Sequence, residues 1–328
     1  MLVPVQASCL VALLLLLLFG SGIHAQLSPG YYSSSCPNVE SIIQQVMLQK
    51  FKITPNSVPG TLRLFFHDCF VDGCDASVLI ASTASNSAEK DAEINLSLAG
   101  DSFDSVIKAK AAVEEKCPGV VSCADILAIA TRDLVVLAGG PSWTVRKGRK
   151  DGKISQASRV DGNLPKPEQS VDQLTKLFAS KGLSQTDMVA LSGAHTIGFA
   201  HCKEFMSRIY NFNSTHQFDP AMDPNFAKDL RLTCPQSVDP RVVANNDVTT
   251  PAKFDNVYYQ NAVRGVTVLA SDQILHSDAR TRGLVTAYAG QQGAFFAAFA
   301  TAMDNLGAVG VKTGNQGEIR KDCSRFNS

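Results

Sequence analysis

Eight cysteines beyond the leader most constrain what this chain can fold into. Their meaning depends on the compartment, and the first 25 residues indicate it. Leu10–Phe19 is an unbroken apolar run, too short to cross a bilayer and right for a signal-peptide core. Small residues follow, ending in Ala25 before an expected cut at Gln26. Met1–Cys9 carries no Lys or Arg, a departure from the usual pattern, yet residues 1–25 still read as a secretory signal. Cys9 falls inside that segment. Cys36, Cys69, Cys74, Cys117, Cys123, Cys202, Cys234 and Cys323 remain, an even number that predicts four disulfides in an oxidising compartment. Spacing alone leaves roughly a hundred pairings open.

Residues 26–328 suffice for one large domain or two lobes sharing a core. Nothing after the leader is apolar enough to span a membrane. Lys plus Arg and Asp plus Glu number 30 each, without a basic run, which argues against nucleic acid as a partner. Apolar residues recur mostly at helical spacing. Val39, Ile42, Ile43, Val46 and Met47 form a stripe behind Asn38, a candidate N-cap. Ser122 with Asp125, and Ser184 with Asp187, have the spacing of a capping box, and Ser170 opens a helix that ends near Gly182. Asn256–Arg264 and Gly293–Leu306 are further helices. Pro141–Pro167 and residues 210–253 are punctuated by Gly and Pro and predict ordered surface excursions. Strand alternation is scarce, so the expected fold class is all-α with very little β. The single tryptophan, Trp143, reads as packing.

One stretch carries chemistry. Arg63 and His67 are four residues apart, so on a helix they lie one above the other, crowded by Leu62, Leu64, Phe65 and Phe66. A permanent cation beside a proton acceptor suits a reaction that moves protons while negative charge develops. A Gly-containing loop follows, with Asp68, Asp75 and Ser77 as oxygen donors and Cys69 and Cys74 five apart. Structural zinc would need a second cysteine pair at ligand spacing, and none is present. A second histidine, His195, sits in Ala190-Leu-Ser-Gly-Ala-His195-Thr-Ile-Gly198; alone it reads as a core histidine.

Taken together, Arg63-Leu-Phe-Phe-His67-Asp-Cys-Phe and Leu191-Ser-Gly-Ala-His195-Thr closely resemble the distal and proximal signatures of the secreted plant haem peroxidases, the class III family. Glu89-Lys-Asp91, Cys117, Val121-Ser-Cys-Ala-Asp125, Asn163-Leu-Pro165, Phe254-Asp-Asn256, Ser271-Asp272 and Ile319-Arg-Lys-Asp-Cys323 extend the likeness along the mature chain. The leader and the eight cysteines argue against an intracellular ascorbate-type enzyme, and the local Cys69/Cys74 pair against a fungal one. A haem- or wall-binding protein without turnover is disfavoured by the intact set of Arg63, His67, Asn95, His195 and Asp272, since binding needs no acid–base pair.

The resemblance implies the haem peroxidase fold, ten or more helices in two lobes with one haem b between them. It implies disulfides Cys36–Cys117, Cys69–Cys74, Cys123–Cys323 and Cys202–Cys234. The implied activity is reduction of hydrogen peroxide coupled to oxidation of phenolic donors in two one-electron steps. His195 would hold the haem iron with Asp272 on its other nitrogen. His67 would move the peroxide proton and Arg63 would stabilise developing charge. Asn95 would orient His67 with support from Glu89, and Pro165 would meet the donor. Two calcium ions are implied, one on Asp68, Val71, Gly73, Asp75 and Ser77, the other on Thr196, Asp247, Thr250, Lys253 and Asp255. Lys253 would serve through its backbone carbonyl.

Of two glycosylation sequons, Asn213-Ser-Thr215 is the expected site, because Asn95 is needed in the pocket. A secreted, extracellular monomer of the cell wall is expected; the chain ends five residues after Cys323, without a longer tail. Glu93, Glu168 and Glu204 stand where familiar members carry phenylalanine near the donor entrance, so anionic donors are expected to be disfavoured if all three face it.

Overall fold

The computed structural model describes residues 27–327; the expected signal, residues 1–25, lies outside them. Twelve α-helices carry the described fold. The first four are α1 Val39–Ile53, α2 Ser57–Val71, α3 Gly100–Lys116 and α4 Cys123–Leu137. Then come α5 Val171–Ser180, α6 Gln185–Ser192, α7 Met206–Ile209 and α8 Pro224–Thr233. The last four are α9 Val257–Val263, α10 Ala270–Ser277, α11 Ala279–Gly290 and α12 Gln292–Leu306. Among the described residues the only sheet is β1 (Phe199–His201) antiparallel to β2 (Val243–Asn245). The fold is all-α, as expected.

Helices α1–α4 pack on one another, and α5, α6 and α9–α12 form a second group. One apolar core runs through both, and a smaller one gathers Phe205, Phe226 and Leu230 beside the two strands. Helix α4 is buried at nearly every position, which is why its sequence is apolar almost all round. Among its buried polar residues, Asp125 is satisfied by the Tyr32 hydroxyl at 2.8 Å, the Gly148 N–H at 2.6 Å and the Arg149 guanidinium at 2.8 Å. Trp143 packs edge-on to Phe299, with ring centroids 6.1 Å apart.

Local chemistry sets most helix ends. Ser122 Oγ accepts the Asp125 N–H, and full capping boxes join Ser170 to Gln173 and Ser184 to Asp187. Each such cap stabilises by about 1 kcal/mol. Gly182 and Gly265 follow α5 and α9 with φ of 76° and 75°, the left-handed turn that glycine makes freely. Two expectations are corrected. Asn38 precedes α1 but its side chain caps nothing. Residues 210–253 are not excursion throughout: Asp223 caps α8 through the N–H groups of Asn225 and Phe226, with Pro224 in the first turn. Asp-Pro is itself a helix-start signature. Periodicity also left α3, α10 and α11 without expected boundaries; α3 buries Val106, Ala109 and Val113 on one face.

The cysteines pair as Cys36–Cys117, Cys69–Cys74, Cys123–Cys323 and Cys202–Cys234. The second pair holds the turn that follows α2. Gly73 in that turn has φ 105°, and a Cβ there would run into the backbone of Gly310. Only glycine fits both demands.

Candidate active site

A cavity of about 850 Å³ opens between the two helix groups. It is lined by α2, α5 and α6, by the C-terminal end of α12, and by the segments around residues 157–168 and 195–204. Cofactor pockets span roughly 300–1,000 Å³. His67 and His195 both face it, with Leu62, Phe66, Leu174, Phe178 and Met188 supplying apolar wall.

On the wall formed by α2, His67 is 6 % exposed. Its Nδ1 lies 2.7 Å from Asn95 Oδ1, and Asn95 Nδ2 donates to the Glu89 backbone carbonyl at 2.7 Å. An amide oxygen can only accept, so Nδ1 carries the proton and Nε2 is left as the base. Burial and then the Arg63 charge push the His67 imidazolium down to about 3, against the weaker upward pull of Asn95. Neutral imidazole is therefore the form present at physiological pH. Arg63 is fixed by hydrogen bonds to the Ser97 carbonyl at 2.9 Å, Ser97 Oγ at 3.0 Å and the Ile94 carbonyl at 3.3 Å. Sequence reasoning missed these anchors. Glu89 meets Asn95 through its backbone carbonyl, while its carboxylate accepts from Ser77 Oγ at 3.0 Å.

On the opposite wall His195 follows α6 in a short turn of 3₁₀ helix. Gly193 is required there, because a Cβ would strike Phe295 and the Tyr259 hydroxyl. His195 Nδ1 is 2.9 Å from Asp272 Oδ1, and the side chain is 39 % exposed, onto the cavity. Burial lowers its imidazolium, but the charge and hydrogen bond of Asp272 outweigh burial and leave it above the ordinary value. With Nδ1 engaged, Nε2 is the nitrogen free to bind a metal. Asp272 Oδ1 also accepts the Tyr258 hydroxyl at 2.8 Å, a partner not foreseen from sequence. A cavity with apolar walls, one metal-binding nitrogen and a base opposite it fits a haem.

Residues 41–291 match the family model described as peroxidase. Peroxidase 73 of Arabidopsis thaliana is 55% identical over 305 residues, covering 92% of this chain and 93% of that protein. Peroxidase 55 from the same plant is 56% identical over 304 residues, covering 93% and 92%. Peroxidase 16 is 52% identical over 324 residues, 98% of this chain and 99% of that one.

The chain belongs to the class III plant peroxidase family. It is a haem peroxidase that acts on hydrogen peroxide.

Two oxygen-rich clusters flank the cavity of this class III peroxidase. Beside α2, Asp68, Asp75 and Ser77 are buried, as is Glu89. Asp68 accepts the N–H groups of Ala76 at 2.9 Å and Val78 at 3.3 Å, and Asp75 accepts that of Ser77 at 3.1 Å. Three carboxyls share this space, and Glu89 Oε1 is buried without a partner. Burial and then the Asp75 charge push Asp68 up to about 8; burial and then Asp68 and Asp75 push Glu89 up to about 9. Lys312, 3.7 Å from Asp75, and the nearby Arg320 charge leave the three carboxyls one positive charge short. The cluster is short of positive charge, and a divalent cation fits it. Asp72 points elsewhere, to an ion pair with Arg159.

The second cluster is beside His195. Thr196 Oγ1 lies 3.5 Å from Asp247 Oδ2, 3.5 Å from the Lys253 carbonyl and 3.4 Å from Asp255 Oδ1. Thr250 Oγ1 is 3.2 Å from Asp247 and 3.1 Å from Asp255. Oxygens at about 2.4 Å from one calcium and ~80–90° apart would be about 3.1–3.4 Å from each other. Lys253 contributes its carbonyl, while its ammonium group is 3.6 Å from Asp255. The three carboxyls beside α2 are near enough to repel one another, but among the described residues no three acidic, His or Cys side chains converge on one point, so carbonyls and hydroxyls would have to complete each shell.

At the rim, Pro165, Glu93, Glu168 and Glu204 all line the cavity. Lys166, Lys203 and Asp161 line it too, and Lys203 sits 3.5 Å from Glu204. Phe199, 43 % exposed, gives the mouth an aromatic edge.

Proposed function

We propose that this protein is a secreted peroxidase, matured by loss of residues 1–25, that holds one haem b on His195 and oxidises small phenols. The observation that carries this reading is the pair of histidines on opposite walls of one cavity, each oriented by its own acceptor at Nδ1. Haem would supply the redox chemistry: peroxide takes up two electrons, and two donor molecules each return one. The chain's own residues do the rest. His195 Nε2 would hold the iron, with Asp272 fixing its tautomer and raising its basicity. His67 Nε2 accepts a proton from the near oxygen of peroxide and delivers it to the departing one. Arg63, tied to Ser97 and Ile94, offers a fixed cation to the charge that develops as the oxygens separate. The donor is held at the mouth by the Pro165 carbonyl and Arg63. A monomer in the cell wall is the proposed state.

The test is a guaiacol assay with peroxide on the haem-loaded protein, run beside His195→Ala. The wild type should turn over with a ferric haem spectrum, and the variant should lose turnover and retain haem poorly. Near-normal activity and an unchanged Soret band in His195→Ala would remove His195 as the ligand.

We infer two calcium ions in the clusters described above. Because Asp68 and Glu89 have raised values in the ion-free protein, the folded state binds more protons than the unfolded one above about pH 4. Its stability is then lost as pH rises towards 8 or 9. Calcium removes that penalty. Chelation should therefore lower Tm and activity, by a wider margin at about pH 8 than at about pH 5. Metal analysis that finds active enzyme free of calcium would reject both sites.

Only Asn213 should carry glycan. It is exposed in a turn, whereas Asn95 is 2 % exposed and uses both amide atoms. Peptide mapping with sugar on Asn95 would contradict its place beside His67.

At the mouth four carboxylates face two ammonium groups and the Arg63 guanidinium, an acidic surplus of one. One net charge about 7 Å from an anionic phenol repels it by about 0.6 kcal/mol in water, and by about 0.2 kcal/mol at physiological salt. That is about a 1.5-fold penalty on kcat/KM, rising towards threefold as salt is removed. Ferulate should gain on guaiacol as ionic strength rises, and Glu93→Gln with Glu168→Gln should flatten the slope. A ratio indifferent to salt would make these glutamates ordinary surface residues.

A further inference from the structure

We propose that Tyr258 limits how strongly Asp272 polarises His195, and so sets the redox poise of an iron held by that histidine. The proposal rests on the reading of His195 as the haem ligand and extends it to a residue outside the ligand pair. Its basis is a shared acceptor. Asp272 Oδ1 meets His195 Nδ1 at 2.9 Å and the Tyr258 hydroxyl at 2.8 Å. Both donors bond the same carboxylate oxygen.

The hydroxyl is built into place. Tyr258 is 2 % exposed and sits on α9, which packs on the helix carrying Asp272, α10. Its ring stands edge-on to Tyr259, with centroids 4.9 Å apart, and edge-on to His195 at 6.3 Å. Among the described residues Asp272 is the one acceptor within reach of that hydroxyl. Helix packing rather than a loop therefore holds the bond.

Two charge-assisted hydrogen bonds on one oxygen divide its electron density. The phenol stabilises Asp272 as a carboxylate and makes it a weaker acceptor for His195. The ring proton then stays closer to Nδ1, and the imidazole keeps less anionic character. A less anionic ligand favours ferric over ferrous iron less strongly and binds it with a softer bond. Tyr258 would thus be a positioning residue that restrains Asp272, and it touches neither substrate nor haem in this scheme.

The neighbouring residue provides the control. Tyr259 is fully buried, and its hydroxyl donates to the Val189 carbonyl at 2.8 Å instead of to Asp272. Tyr258→Phe and Tyr259→Phe delete the same atom from adjacent buried rings. If the effect were loss of a buried hydroxyl in general, both would show it.

The experiment measures the ferric/ferrous midpoint and the iron–histidine stretching frequency in the haem-loaded protein. Tyr258→Phe should favour ferric iron about tenfold more, a midpoint lower by about 59 mV for one electron. Its iron–histidine stretch should move up in frequency. Tyr259→Phe should move neither. Difluorotyrosine placed at position 258 is a stronger donor of the same shape and should shift both readouts the opposite way. That arm decides the question even if Tyr258→Phe fails to retain haem. Unmoved readouts in both position-258 proteins, or equal shifts in Tyr259→Phe, would overturn the proposal. A wild-type protein with no iron–histidine band would overturn it together with the assignment of His195, whereas a band that ignores position 258 leaves that assignment standing.

Discussion

His67→Ala is expected to slow the reaction with hydrogen peroxide by about 10²- to 10⁴-fold, the usual contribution of a positioned acid–base group. Truncation removes the one base on the α2 wall whose tautomer is fixed, since Asn95 Oδ1 can only receive the proton on Nδ1. The pH profile should separate this from a general loss of structure. With the His67 imidazolium held down to about 3 by burial and the Arg63 charge, the base form persists well into acid. The wild-type rate with peroxide should stay level from neutrality to about pH 5, where an ordinary histidine would already be mostly protonated. Stability responds in the same window: the unfolded chain binds the proton that the folded one refuses, so acid below about pH 6.5 favours unfolding through this group. Asn95→Ala should keep part of the rate and lose the fixed tautomer. Stopped-flow measurement of the peroxide step is the check. A His67→Ala rate within about threefold of wild type, less than about 1 kcal/mol in barrier, would remove His67 from the reaction.

The second large effect concerns stability. Cys123 and Cys323 close a loop of 200 residues, and both are buried. Chain-entropy arguments give about 3 kcal/mol for a 15-residue loop and about 5 kcal/mol for one of this length. The Cys202–Cys234 bond shortens the free path inside that loop only slightly. Replacing both Cys123 and Cys323 with alanine should therefore cost about 4–5 kcal/mol, against a total near 5–15 kcal/mol for a folded domain. The loss should also have a local signature. Arg320, three residues before Cys323, donates to the Ala76 carbonyl at 2.8 Å and the Gly152 carbonyl at 2.7 Å. Asp151 in turn accepts the N–H groups of Cys123, Ala124 and Arg320. Freed from its disulfide, the C-terminal segment should release the Ala76 turn next to Asp68 and Asp75, and calcium affinity should drop with it. Denaturant unfolding gives the global number and calcium titration the local one. A double variant within about 1 kcal/mol of wild type would show that the Arg320 and Asp151 bonds, and not the disulfide, hold this end.

Local signals in the chain were enough for about half of the helices, three of their caps and one catalytic stretch. Ser122, Ser170 and Ser184 announce their helices because a cap is a contact over three residues, and those contacts are present. Arg63 and His67 share a wall because four residues are one helical turn. The same rule explains the failures. Asn38 had the right residue type but not the backbone conformation, and α8 was hidden among prolines although Asp223-Pro224 announces it. What packing alone decided is the meeting of distant residues. His67 and Asn95 are 28 apart, His195 and Asp272 are 77 apart, and Thr196 finds Asp255 from 59 residues away. No spacing in the chain encodes those distances; only the resemblance to a family implied them, and it was silent on Tyr258. The choice of four cysteine pairs among so many was likewise made in space. A hydrogen bond or a disulfide between distant segments depends on where helices cross, and that is set by how their buried faces fit, a property of all the faces at once.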